Sequence, residues 1–389
     1  MPFPGSNAPL AGRAYYPALT GLRALAAYLV FFLHFRPVAL PQWAKLVFGQ
    51  FYVGVGIFFV LSGFVIATRY QGSVRWTAPW WRGYCWRRVA RIYPAYLVLN
   101  GLVLARLYWP VPPGQGANSL LLVLLSQSLL RGFSSTLKYV GLPQGWSLTV
   151  EACFYALAPL LLLAWRRGRA AAAGFVAATV AFGLLLTYLC AGRPALHGFF
   201  GSYHHLFNFT FFGRVAEFVM GVGVARWWAT HPAGTGPRGP WRTWVGGLLM
   251  ALAVGLLAGL RSPLDWYDGL RYPAAIALNN LLFPAGVAVL LAGLLAERSW
   301  LRAALATPLM QALGRSSYFF YLCHVGVFSL WWREWFGSDT HIGWQFVATV
   351  LLSVLGYRLL EEPLRRWVLA WALPRRERTP ATGAEQRRA

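Results

Sequence analysis

An all-α protein threaded repeatedly through a membrane is the fold class predicted by this 389-residue sequence, on three observations. Hydrophobic residues make up 58% of it and charged residues only 12%, well under the usual share of a soluble domain. A chain so composed cannot cover itself with a polar surface, and its mean hydropathy is +0.49. Apolar runs of about 20 residues, the helix length a bilayer core demands, recur along the chain. The net charge of +24 sits mostly in short segments between these runs, without the basic patch interleaved with aromatics that nucleic-acid binders use, so no nucleic-acid partner is expected. The cysteines Cys85, Cys153, Cys190 and Cys323 lack metal-ligand spacing and read as small packing residues, with neither a metal site nor a disulfide framework expected.

The pattern predicts about ten spans, at 18–36, 50–68, 94–110, 147–165, 170–190, 206–228, 243–260, 276–296, 316–333 and 343–360. The first lacks a cleavage signal and is followed by many more, so it reads as a retained span. Ser119 to Leu130 is too short to cross and reads as an interfacial or re-entrant helix. About 24 of the 35 Lys and Arg fall on one set of alternating segments and about nine on the other, which predicts that the N- and C-termini are cytoplasmic. Residues 1–367 then form the transmembrane domain, and 368–389 a basic cytoplasmic tail, disordered at its Arg-rich end. No second soluble domain is expected after the last span.

Each candidate functional residue has a bland reading beside the chemical one. In the first span Arg23 and His34 lie 11 residues apart, about 16.5 Å of rise, and return to within about 20° of one helix face. Ionisable groups inside a bilayer mark substrate or proton paths by default, yet an arginine can snorkel and a histidine can make a structural bond. The second span carries Gly54, Gly56, Ser62 and Gly63, a face suited to close helix packing or to leaving room for a ligand. The segment from Arg69 to Tyr93 is the most basic between spans, and Arg88 and Arg91 share a face just before Pro94, which is expected to begin the third span. Topology alone explains most of that charge; paired guanidinium forks also suit phosphate. In the fourth span Ser147, Glu151 and Tyr155 share a face, and Glu151 needs a partner, either an arginine such as Arg214 or a catalytic histidine. Arg214 and Glu217, three apart, are expected to satisfy each other. The ninth span places His324 near Ser317, Tyr318 and Tyr321, as glue between helices or as a site. His197, His204, His205, His231 and His341 read as solvated loop or edge histidines.

These motifs together resemble the acyltransferase-3 family of integral membrane acyltransferases, which includes bacterial O-antigen and other polysaccharide O-acetylases. The resemblance rests on Arg23 and His34 with ten residues between them, then VGVGIFFVLSGFVI, RRVARIYPAY, WSLTVEACFY, SYFFYLCH and EEPLRR, in that order from Tyr16 to Trp367. It implies that His34 is the catalytic histidine, with Arg23 as its motif partner and Glu151 in the WSLxxE motif. Arg88 and Arg91 match the RxxR motif associated with acyl-CoA, and Ser317, Tyr318 and His324 match the late S-Y-x5-H motif; with Tyr155, which shares a face with Glu151, they are candidates for acceptor binding or support. Two departures stand out: Gly56 and Ala152 occupy positions where relatives often carry acids, and the extracytoplasmic hydrolase-like domain of some relatives is not expected.

The expected function is therefore a multi-pass enzyme of the cytoplasmic (inner) membrane, surrounded by lipid. It moves an acyl group, most simply acetyl, from acyl-CoA as co-substrate to a hydroxyl of a cell-surface carbohydrate, lipid-linked or not. No permanently bound cofactor is expected. The alternatives are the same chemistry on a macrolide or other secondary metabolite, and a transporter or flippase of a lipid-linked glycan.

Overall fold

Apolar, backbone-satisfying segments fold as helices wherever the sequence allows, and a computed structural model describes residues 15–37, 39–108, 116–231, 239–260, 272–337 and 341–373. Among the described residues there is no β-strand, only an isolated bridge between Ser134 and Phe199. The helices are α1 (Pro17–His34), α2 (Gln42–Phe48), α3 (Gly54–Tyr70), α4 (Ala78–Tyr108), α5 (Gly116–Gln127), α6 (Gly145–Arg167) and α7 (Arg169–Cys190). Then come α8 (Tyr203–Phe209), α9 (Phe211–Thr230), α10 (Trp241–Gly259), α11 (Pro273–Ala277), α12 (Phe283–Ala296) and α13 (Trp300–Leu305). The last four are α14 (Pro308–Cys323), α15 (Val327–Phe336), α16 (Ile342–Gly356) and α17 (Glu362–Ala372). Single π-helical turns join α11 to α12 and α16 to α17.

Among the described residues seven segments are long and apolar enough to cross a membrane. They are Pro17–His34, Gln42–Tyr70, Gly145–Arg167, Arg169–Cys190, Trp241–Gly259, Pro273–Ala296 and Ile342–Ala372. The other three expected spans are helical but do not qualify. Of the expected span 94–110, residues 94–108 belong to α4, a 31-residue helix that also carries Arg82, Arg87, Arg88 and Arg91, and 109–110 lie outside the described residues. Residues 206–228 are interrupted at Thr210, whose backbone is extended, and α9 contains Arg214, Glu217 and Arg226. Residues 316–333 are split between α14 and α15 around Gly326, which has a φ of 138°.

Two expectations need correction. Pro94 does not begin a span: it lies inside α4, which starts at Ala78 and so takes up most of the basic stretch read as a connection. Proline lacks an N–H and crowds the preceding turn, but in lipid the remaining backbone groups still gain most from continuing the helix. His205 is not solvated but 1% exposed, in the short helix α8 with its ring stacked 5.7 Å from Phe209. The short helix read over Ser119 to Leu130 is present as α5 followed by a 3-10 turn at Leu130–Phe133. The tail boundary at 368 falls within α17, and residues 374–389 lie outside the described residues.

Small residues set the closest helix contacts, as expected where lipid removes the hydrophobic drive between helices. A Cβ at Gly63 of α3 would collide with the Phe218 carbonyl of α9, and one at Gly221 of α9 with the Val60 carbonyl of α3. Beside this seam Phe218 stacks on Phe154 at 4.0 Å and on Phe59 at 4.8 Å, so α3, α6 and α9 share one aromatic core. Gly314 presses the backbone of α14 against the Thr20 carbonyl of α1 in the same way. That contact brings together the two helices that carry the intramembrane histidines.

Candidate functional site

Two histidines meet at one end of α1 and α14. His34 is the last residue of α1 and is exposed; His324 follows α14 directly and is fully buried, with the ring centroids 5.4 Å apart. The His324 Nδ1 lies 2.8 Å from the Tyr321 carbonyl oxygen. A carbonyl only accepts, so a neutral His324 carries its proton on Nδ1 and presents a bare Nε2. That Nε2 is buried without a hydrogen-bond partner among the described residues. The helix end beneath it is held by Gln144, whose Nε2 donates to the carbonyls of Tyr321, Leu322 and Val325 at 3.0, 2.8 and 3.1 Å. Carbonyls left open where a helix stops need such a partner. Gln144 was not singled out in the sequence, because its three acceptors are more than 170 residues away and no spacing reveals them.

Arg23 sits at the other end of the same face. It donates from Nε to the Ser317 hydroxyl at 3.4 Å and lies over the Phe58 ring at 5.7 Å; its partnership with His34 is one of shared face, not contact. Tyr318, next to Ser317, gives its hydroxyl to the Ile92 carbonyl at 2.7 Å, tying α14 to α4.

Among the described residues, Glu151 of α6 finds neither an arginine nor a histidine as its hydrogen-bond partner. It accepts from the Ser62 hydroxyl at 2.9 Å and from the Tyr155 hydroxyl one turn on. Arg214 is instead paired with Glu217, Nε to Oε1 at 2.6 Å and Nη2 to Oε2 at 3.1 Å, the local pairing expected from their spacing. Ser147, one turn before Glu151, shares a hydrogen bond of 2.7 Å with the Tyr321 hydroxyl.

Two cavities organise these groups. The inner one, about 500 Å³ of empty space, is lined by Arg23, Phe58, Ser62, Arg91, Ser147, Glu151, Tyr318 and Tyr321 together with Val55, Phe59, Ile92 and Leu148. The second, about 980 Å³, shares Arg23, Ser62 and Arg91 with the first and opens among Arg69, Arg87, Arg88 and Arg365. Its lining contains six arginines and no carboxylate. Arg88 lies over the rings of Tyr70 and Tyr155 at 5.6 and 5.3 Å, and its Nε is buried without a hydrogen-bond partner. Arg91 is held by Glu361 at 3.0 Å and lies over the Tyr318 ring at 5.3 Å. A cationic vestibule leading to a narrower, partly apolar chamber can take a molecule with an anionic head and a thin, uncharged arm.

The structure thus joins Arg23, Arg88, Arg91, Glu151, Tyr155 and Tyr318 around two connected cavities. His34 and His324 form a separate pair beyond Tyr321, whose ring lies 5.6 Å from His324, and line neither cavity. Ser62, read as a packing residue or as room for a ligand, lines both cavities, and Arg365 of α17 joins the vestibule from the far end of the sequence.

Residues 16–358 match the family model described as an acyltransferase domain. A Staphylococcus aureus (strain COL) protein provisionally named an O-acetyltransferase is 23% identical over 392 residues, 90% of this chain and 58% of the relative. The same match recurs in S. aureus strain N315. This chain therefore spans well under two-thirds of the length of those relatives. The acyltransferase MdmB of Streptomyces mycarofaciens is 29% identical over 343 residues, 79% of this chain and 78% of that protein. No solved structure matches the chain.

Proposed function

Because the chain belongs to the acyltransferase-3 family, whose model covers its residues 16–358, we propose that it is an O-acyltransferase of the cytoplasmic membrane drawing on cytoplasmic acyl-CoA. The acceptor is a hydroxyl of a cell-surface carbohydrate, and the acyl group is most simply acetyl. The observation that carries this reading is the carboxylate-free arginine vestibule opening into a narrow chamber that ends one ring short of a histidine pair.

The phosphates of the acyl donor rest on Arg88 and Arg91, with the vestibule mouth facing the cytoplasm. Bidentate guanidinium forks fix such groups in direction as well as position. The pantetheine arm follows the inner cavity along α1 towards His34, about 16.5 Å beyond Arg23 by helix rise. His34, exposed at the end of α1, takes the proton from the acceptor hydroxyl. The hydroxyl oxygen then attacks the thioester carbonyl, the C–S bond breaks, and CoA leaves as the thiolate, later protonated from solvent or from His34. Arg23 offsets negative charge in the chamber as the thiolate departs. The Ser62–Glu151–Tyr155 bonds hold the chamber wall, and the His324 ring packs beside His34 at 5.4 Å.

The test is CoA release from acetyl-CoA by purified protein in detergent, with a glycan extract and, separately, a pool of small hydroxylated metabolites. Release stimulated by the glycan, lost in His34→Ala and shifted to a higher acetyl-CoA KM in Arg88→Ala/Arg91→Ala, supports the reading. Release that survives His34→Ala removes His34 as the base; stimulation only by small metabolites moves the acceptor to that class. Absence of release with either pool overturns the acyltransfer reading and favours transport.

A further inference from the structure

We infer that Phe58, Ser147 and Tyr321 form a size-selective barrier between the acyl-donor cavity and the histidine pair, and so determine which acyl group is transferred. This inference rests on the acyl-CoA reading above. All three side chains line the inner cavity, whereas His34 and His324 do not. Tyr321 stands between the two regions: its ring is 5.8 Å from Phe58 on the cavity side and 5.6 Å from His324 on the other. Its hydroxyl is tied to Ser147 at 2.7 Å, so α6 and α14 are joined across the end of the chamber. Both tied residues are nearly closed to solvent, Tyr321 at 6% and Ser147 at 4%. The backbone beneath is fixed too, because Gln144 holds the Tyr321 and Leu322 carbonyls.

The consequence for chemistry follows from where an acyl group sits on its carrier. It is the tip of the arm, so it alone has to pass between the Phe58 and Tyr321 rings, which touch edge to face, when the thioester carbonyl comes within reach of an acceptor held by His34. The phosphates, at the other end, are unaffected by what the tip carries. An acetyl group asks for the least displacement of the two rings. Each further methylene has to push apart aromatic side chains that are packed and, on one side, hydrogen-bonded, and it does so in the transition state. Discrimination therefore falls on the chain length of the acyl group and not on the nucleotide portion of the donor.

The experiment compares kcat/KM for CoA release from acetyl-, propanoyl- and butanoyl-CoA by the full chain in detergent, with the glycan extract and the small-metabolite pool present as acceptors, for wild type and for Phe58→Leu, Tyr321→Phe and Ser147→Ala. Phe58→Leu is expected to raise the butanoyl-to-acetyl ratio about tenfold or more, since a methylene's worth of pocket is worth about that much. Tyr321→Phe keeps the ring and removes the tie, and Ser147→Ala removes it from the other side; both shift the ratio in the same direction by less. Arg88→Ala raises KM for all three acyl-CoAs alike and leaves the ratio where it was. A packing role alone lowers release from every acyl-CoA equally. An unchanged ratio in variants that still release CoA therefore overturns the barrier. If Phe58→Leu does not elute as a folded species, the two hydroxyl-tie variants decide. Wild-type protein that releases no CoA from any of the three overturns the acyl-CoA reading itself, and the barrier falls with it.

Discussion

Arg88 and Arg91, three residues apart on one face of α4, have different surroundings. Arg88 is cradled by two tyrosine rings with its Nε free of any hydrogen bond, so its charge remains available to an incoming anion. Arg91 already neutralises Glu361, whose side chain is only 4% exposed. Removing Arg88 is expected to raise the acyl-CoA KM about tenfold, the worth of one charge-assisted contact, while thermal unfolding in detergent stays at the wild-type temperature. Removing Arg91 strands a buried carboxylate and is expected to cost about 3 kcal/mol of stability, read as an earlier thermal transition. The double variant Arg91→Met/Glu361→Leu recovers most of that loss, because no orphaned charge remains. Helix spacing revealed that the two arginines share a face, and likewise the local Arg214–Glu217 pair. It could not reveal that Glu361 was waiting 270 positions away, since only the packing of α17 against α4 brings it there.

At the level of elements, backbone proximity decides what a substitution does. Gly221 and Gly223 lie on the same helix two positions apart, yet a methyl at Gly221 collides with the Val60 carbonyl whereas one at Gly223 meets nothing nearer than Trp165 at 3.8 Å. Gly221→Ala is expected to lower the thermal transition and broaden the size-exclusion peak in detergent. Gly223→Ala is expected to leave both unchanged or to stabilise slightly, by about 0.5–1 kcal/mol of helix propensity. The sequence displayed the small-residue stripe on α3 without its partner on α9. Hydrophobic runs likewise placed the apolar helices well but missed the interruptions at Thr210 and Gly326 and the passage of α4 through Pro94. Those features depend on side chains from other helices, such as Gln144 at the end of α14, that satisfy the broken backbone. His205 was misread for a related reason: a polar residue beside a loop looks solvated until its neighbour Phe209 is seen to cover it.

For the whole molecule, the decisive property is a charge pattern gathered from distant parts of the chain. Arg23, Arg69 and Arg88 come from three helices, and with Arg365, itself paired to Glu362, they make an arginine-lined mouth that no single segment announces. Exposed charges act over about 10 Å at 0.1 M salt, and less as salt rises. The acyl-CoA KM is therefore expected to increase steadily with sodium chloride in the assay, with kcat changing little, and this salt response is expected to flatten in Arg88→Ala. A KM indifferent to ionic strength would mean that the vestibule does not meet the phosphates.

A helix bundle whose arginine-lined vestibule leads inward to a second chamber has, in geometry, part of a channel. The Tyr321–Ser147 tie and the Phe58 ring, which line the inner chamber on the side of the histidine pair, then serve as insulation as well as selectivity. Were they trimmed away, any leak is expected to favour anions over cations, since the arginines repel positive charge, and chloride permeability of vesicles holding the trimmed variant is the measurement that checks it.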